Sequence, residues 1–298
     1  MNRYKASKRA GLIGIICNIF LFIIKFIVGL TYKSQSMIAD SMNSLGDIFS
    51  SFMTWLGNKI SSVPRDNDHN YGHGKAEYIF SMLISISMMI VALKLLYEGV
   101  MSIINRNILV YDKLLIIVCI ITIITKLCLY IYTKLLYKKY DNLLLKSNML
   151  DHRNDCFVTT FSLIAIVLSN YGIHWFDGIV GIGISIWIFI TGVKIYIESY
   201  NVLMDASIDK ESKNKMLEII SNEKNKDLIK IGNLYSVPVG YHYIVVLTIF
   251  VNGKLTTEES HSITEKLEDK IQKSVERIEK IIIHVEPYIK EKDSDLKK

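Results

Sequence analysis

Thiol chemistry is scarce in this chain. Its 298 residues include only four cysteines, Cys17, Cys119, Cys128 and Cys156, none in a CxxC pair. That argues against a disulfide framework or a thiolate zinc site and favours buried free thiols. No phosphate-binding loop, cofactor motif or activated nucleophile appears, so the sequence does not read as an enzyme. Low-complexity tracts and internal repeats are absent as well. Arginine is nearly missing from the apolar stretches, which speaks against a polar, arginine-lined path for an organic solute. The formal net charge of +6 calls for no nucleic-acid partner, because the excess sits at the ends of apolar segments.

Those apolar segments dominate the chain up to about residue 204, and the remainder is charged. Six stretches have roughly the 20 residues that a bilayer core requires: 10–30, 36–60, 77–99, 111–133, 148–170 and 176–200. The expected architecture is a six-helix membrane domain over 1–204 and a small α+β domain over 205–298. Basic residues set the orientation. Arg3, Lys5, Lys8 and Arg9 precede the first stretch, Lys59, Arg65 and Lys75 flank the second loop, and Lys134, Lys138, Lys139 and Lys146 fill the fourth. The opposite loops offer only Lys33, Arg106 and Lys113, which places both termini in the cytoplasm. The first apolar run is interrupted by Asn18 and Lys25 and has no small-residue cleavage site after it, so it reads as a retained helix rather than a signal peptide.

The second and fifth stretches are the least apolar, and they carry acid. Asp40, Asn43 and Asp47 lie in ADSMNSLGD, and Asp151 and Asp155 in DHRND. An Asp at the centre of a spanning helix costs about 2.5–3.5 kcal/mol even on the lenient insertion scale, so four of them oppose insertion by about 10 kcal/mol. Something must offset that charge. At helical spacing Asp40, Asn43 and Asp47 share one face and Asp151 and Asp155 another. Two such stripes facing each other form an oxygen cage for a hard or borderline divalent cation. His152 and Arg153 point aside, toward interhelical hydrogen bonds or a salt bridge. Lys25, Lys94, Lys126, Glu98 and Glu198 read as snorkelling or cross-helix pairs, with no part in transport.

Beyond Asp205 the period changes. Residues 209–222 read as an amphipathic helix, about 228–235 and 241–251 as strands, Thr256 with Glu259 as a capping box opening a helix to about 275, and IEKIIIHVEP as a last strand. The order αββαβ in about 85 residues predicts a small sheet with both helices on one face. A domain this small gains from burial against a second copy.

Together, the six spans, the paired acidic motifs, the PRDNDHNYGHGKAE loop and the αββαβ tail ending in HVEP resemble the cation diffusion facilitator family. The resemblance implies a homodimer in a bacterial plasma membrane, with a ferredoxin-like cytoplasmic domain, that exports divalent metal from the cytoplasm in exchange for protons. Its transport tetrad falls on Asn43, Asp47, Asp151 and Asp155. Asp66, His69 and His73 match a further metal site in the loop, and the two histidines four residues apart suit joint ligation. His261, His284 and Glu286 match regulatory positions in the tail, and His284 and Glu286 share one face of a strand. The tail lacks a histidine before YHYIVV, where zinc-transporting members have one, so its site is expected to be reduced.

The tetrad also departs from the zinc pattern, having no histidine. Imidazole suits Zn(II), whereas carboxylate and carbonyl oxygens suit Mn(II), and the Asn-Asp, Asp-Asp set resembles bacterial manganese exporters. Mg(II) ranks lower because it dehydrates reluctantly. The expected function is therefore Mn(II)/proton antiport, with Fe(II), Co(II) or Zn(II) export, or a membrane metal sensor, as alternatives. No cofactor is expected.

Overall fold

The computed structural model describes residues 3–31, 35–105, 113–169, 171 and 175–288. The expected external loops holding Lys33 and Arg106 lie outside the described residues, as does the side chain of Asp40. The chain divides into two compact units, Met1–Tyr200 and Asn201–Lys298.

The first unit is built from six long helices: α1 (Arg3–Thr31), α2 (Gln35–Ser61), α3 (Ala76–Asn105), α4 (Lys113–Tyr140), α5 (Leu143–Ser169) and α6 (Trp175–Leu203). With 27 to 30 residues each, they are about 40–45 Å long at 1.5 Å per residue, more than a bilayer core of about 30 Å. By length and composition alone, α1, α3, α4 and α6 are apolar enough to cross a membrane. Among the described residues, α2 and α5, which carry the acidic stripes, show no stretch of that length and apolarity.

Polarity in this unit is inverted relative to a water-soluble bundle. Ile16, Phe20, Ile90, Leu93, Ile124 and Leu135 face outward, while Asn18, Ser51, Thr54, Asn58, Ser81 and Thr122 are buried. Apolar tails cannot drive such helices together, so small residues and interhelical hydrogen bonds do. Two glycines illustrate this. A Cβ on Gly11 would lie 2.7 Å from the Trp55 backbone nitrogen, and one on Gly14 would lie 2.7 Å from Ser51 Oγ. Only hydrogen at these positions lets α1 press against α2. Asn18, one turn further along, then donates to the Asp47 carbonyl at 3.1 Å and to Ser51 Oγ at 3.0 Å.

One end of the bundle is tied by a buried ion pair. Glu77 at the start of α3 accepts from Arg3 Nη2 at 2.8 Å and from the Leu143 backbone N–H, at the start of α5, at 2.7 Å. Arg3 also donates to the carbonyls of Tyr140 and Asp141. One carboxylate thus fixes the starts of α1, α3 and α5.

The second unit holds α7 (Lys210–Asn222), β1 (Leu228–Val239), β2 (His242–Asn252), α8 (Thr257–Ser274) and β3 (Ile278–Tyr288). Asp209 caps α7 by accepting from the Ser212 N–H, and Thr256 and Glu259 form the expected capping box on α8. The sheet order is β1-β2-β3, with β1 antiparallel and β3 parallel to β2. Alternate residues of β2, Val245, Leu247, Ile249 and Val251, are buried in one cluster with Met216 and Ile220 of α7 and Leu267 and Ile271 of α8, so both helices cover the same face. Strand β1 continues past the expected end at about 235 to Val239, through Pro238. It is an edge strand, where a missing N–H is tolerated, and its turn into β2 runs through Gly240 at φ +87°.

Candidate functional site

Helices α2 and α5 bring Asp47, Asp151 and Asp155 together: each offers a carboxylate oxygen, and the three oxygens lie within 4.8 Å of one another. Spacing explains why. Asp151 and Asp155 are one turn apart on α5, and the α1–α2 contact at Gly11, Gly14 and Asn18 sets the face of α2 that carries Asp47. A cavity of about 70 Å³ opens on the cluster, lined among others by Asn43, Ser50, Met88, Asn154 and Ile188. Asp151 Oδ2 is buried with no hydrogen-bond partner among the described residues. A buried carboxylate oxygen without a donor carries a full desolvation cost, and a cation in the cavity would relieve it.

Asn43 lines the same cavity, one turn before Asp47 on α2. Its amide oxygen accepts from Lys94 Nζ at 2.6 Å, and Lys94 also lies 3.6 Å from Glu98.

The residue that the sequence reading missed is Lys126. It pairs across helices as expected, but with the acidic cluster itself: Nζ lies 2.7 Å from Asp47 Oδ2 and 2.6 Å from Asp155 Oδ2. Its side chain is only 1% exposed, and Lys25, also buried, lines the same cavity. A lone lysine in the apolar ITIITKLCLY run was the available signal, since ionisable residues at membrane depth tend to be functional. Its neighbours could not be read from the sequence, because they depend on how α4 packs against α1 and α5.

The flanking residues of DHRND differ from expectation. Arg153 lies over the Trp187 ring at 4.3 Å and donates to Asn154 Oδ1 at 3.4 Å, and among the described residues it pairs with no carboxylate. His152 is fully buried, and neither ring nitrogen has a hydrogen-bond partner among the described residues. A second cavity, about 130 Å³, lies between α3, α5 and α6 and is lined by Leu95, Val158, Phe161 and Ile184 together with the polar Glu98 and Ser162.

The α2–α3 loop gathers its three residues closely. Asp66 Oδ1 accepts the backbone N–H groups of Asp68 at 3.1 Å and His69 at 2.7 Å, and lies 3.2 Å from His69 Nδ1. Asp66 Oδ2 is 3.6 Å from His73 Nε2, and the two imidazole centroids are 4.2 Å apart. The His69 backbone N–H, more than any other partner, holds the Asp66 carboxyl below the usual carboxylate range. Gly72 at φ +72° makes the turn that brings His73 back. One oxygen and two imidazoles form a donor set suited to a borderline divalent ion.

In the tail, His284 Nε2 lies 3.3 Å from Glu286 Oε1 on β3. His261 is on α8, and among the described residues it does not join these two within ligand distance.

Comparison with known proteins adds the following. Residues 11–204 match the family described as the cation efflux transmembrane domain, and residues 208–288 match the cytoplasmic domain of cation efflux proteins. The chain is 28% identical over 277 residues to an uncharacterized transporter of Methanocaldococcus jannaschii, covering 92% of this chain and 96% of the relative. It is 26% identical over 282 residues to the magnetosome protein MamM of Magnetospirillum gryphiswaldense, covering 94% and 88%. It is also 26% identical over 297 residues to the manganese efflux system protein MneP of Bacillus subtilis, covering 97% and 99%.

Proposed function

Because the chain belongs to the cation efflux family of membrane transporters, also called cation diffusion facilitators, we propose that it exports Mn(II) from the cytoplasm in exchange for protons, through a transport site of Asn43, Asp47, Asp151 and Asp155. The observation that carries this reading is the convergence of three carboxylates from α2 and α5 on one cavity. An all-oxygen donor set favours Mn(II) over Zn(II), and the manganese efflux relative supports the same choice. In this reading all six long helices span the membrane, both termini are cytoplasmic, and the tail joins two copies, as its match to the cytoplasmic domain of cation efflux proteins supports.

Metal ligation requires unprotonated carboxylates, so protons and metal compete for the same oxygens. If α2 and α5 expose the site alternately to the two sides, protons arriving from outside release the metal, and cytoplasmic metal releases the protons. Asn43 becomes available once Lys94 lets go of its oxygen. Asp66, His69 and His73 form an accessory site, while His261, His284 and Glu286 contribute a weak regulatory site at most.

The test is transport in proteoliposomes with an imposed proton gradient, comparing Mn(II), Fe(II), Co(II), Zn(II) and Cd(II). Mn(II) should move fastest, and its flux should fall when the gradient is collapsed. Preferred transport of Zn(II), or a flux indifferent to the gradient, would overturn the manganese or the proton part respectively.

A further inference from the structure

We propose that the Lys126 ammonium is a tethered cation that occupies the transport site when metal is absent and has to leave before metal binds. The inference rests on the reading of Asp47, Asp151 and Asp155 as that site.

Lys126 Nζ bridges carboxylates of two different helices, Asp47 on α2 at 2.7 Å and Asp155 on α5 at 2.6 Å. These are the two oxygens a divalent ion would have to share in order to bridge the same helices. A divalent ion sits about 2.0–2.6 Å from its oxygen ligands. Bridging both carboxylates therefore places it almost where Nζ now lies, and the two cations exclude one another. Lysine suits this part because its ammonium is a point charge on a flexible four-carbon stem. It can withdraw without moving α4.

The structure also offers a place for the withdrawn group. Thr122 lies one turn before Lys126 on α4 and lines the same cavity, and its Oγ1 is buried without a hydrogen-bond partner among the described residues. Helical side chains lean toward the N-terminus, over the residue one turn back. Thr122 Oγ1 is thus an acceptor on the side to which Lys126 swings.

Two consequences follow. The ammonium competes with metal and so lowers affinity, which favours release. It also leaves the emptied carrier with part of its buried negative charge matched, so that the carrier can return without metal.

The experiment uses the full-length protein, with Mn(II) alone as the probe. Binding to the purified protein is measured alongside two fluxes in proteoliposomes: Mn(II)/Mn(II) exchange and net efflux. Lys126→Gln should bind Mn(II) at least ten-fold more tightly, retain exchange, and lose most of its net efflux. Lys126→Arg keeps the charge and adds a fork that matches carboxylates, so it should bind Mn(II) at least ten-fold more weakly. It also serves as the test if the Gln variant does not fold. Unchanged or weaker binding in a folded Lys126→Gln protein, equal loss of exchange and net efflux, or wild-type affinity in Lys126→Arg would each overturn the proposal. Asp155→Ala separates the two levels. If it abolishes binding while the Lys126 variants behave like wild type, only the tethered cation is refuted; if it binds like wild type, the site reading fails and the proposal with it.

Discussion

Replacing Glu77 by Ala should destabilise the helical unit by about 3–5 kcal/mol, the usual cost of removing one partner from a buried ion pair. The structure supports that size. Glu77 is 1% exposed and the Arg3 side chain 14%, so the carboxylate has no water to fall back on once its partner is lost. The carboxylate accepts from Arg3 Nη2 at 2.8 Å and from the Leu143 N–H at 2.7 Å. Bonds to a charged group contribute about 1.5–3 kcal/mol each, so these bonds alone reach a similar size. Loss of the carboxylate also frees the start of α5, eight residues before Asp151, so the acidic cluster should loosen along with the bundle end. Removing both charges in Arg3→Ala/Glu77→Ala should cost less than the sum of the single variants by about 1–3 kcal/mol. It should not restore wild-type stability, because the Leu143 N–H stays orphaned. Thermal unfolding of the protein in nanodiscs, followed by the fluorescence of its three tryptophans, measures all four corners of the cycle. A Glu77→Ala effect below about 1 kcal/mol, or strictly additive single variants, would refute the reasoning and mark the contact as a weak surface-type pair.

Asp151→His exchanges a hard oxygen for an imidazole in the cluster and should shift the Mn(II) to Zn(II) transport ratio toward zinc by about ten-fold, equivalent to about 1.4 kcal/mol; competitive uptake into vesicles measures it, and an unchanged ratio would show that another ligand sets selectivity. Asp209→Ala removes the cap of α7 and should cost about 0.5–2 kcal/mol, read from the hydrogen-exchange protection of the α7 amides. The Ser212 N–H holds the Asp209 carboxyl below its ordinary value, so the cap contributes fully above about pH 4, the usual Asp range, and fades as pH falls through the lowered native value. The variant and wild type should therefore differ by a constant amount from neutral pH down to about 5 and converge in stronger acid.

Legibility in the sequence followed the distance over which each feature is encoded. The Asp66, His69 and His73 cluster was readable because eight consecutive positions and one glycine turn bring it together. The α2 and α5 stripes were readable from helical periodicity, and carboxylates in otherwise apolar runs demanded a partner. What the periodicity could not say is which cation answers them. Lys126 is 79 residues from Asp47 and 29 from Asp155, and only the packing of α1, α2, α4 and α5 joins the three. The same limit applies to Arg153, whose partner Trp187 lies on a different helix, α6. In the tail, β1 was expected to stop at about 235 but runs through Pro238 to Val239, because proline's effect depends on whether the strand is central or at an edge, which is a property of the assembled sheet. His261 shows the converse: helix α8 and strand β3 were both foreseen, yet their relative placement keeps its side chain away from His284 and Glu286.

The central claim is that Asp47, Asp151 and Asp155 hold the transported ion, and its most direct test is Mn(II) efflux by Asp47→Ala and Asp155→Ala proteins reconstituted at matched density. Each variant removes one carboxylate and leaves α2 and α5 otherwise intact, so the protein should still assemble as a dimer while efflux falls to the level of empty liposomes. Efflux at the wild-type rate by either variant, with the dimer intact, would contradict the account and place the transport site elsewhere.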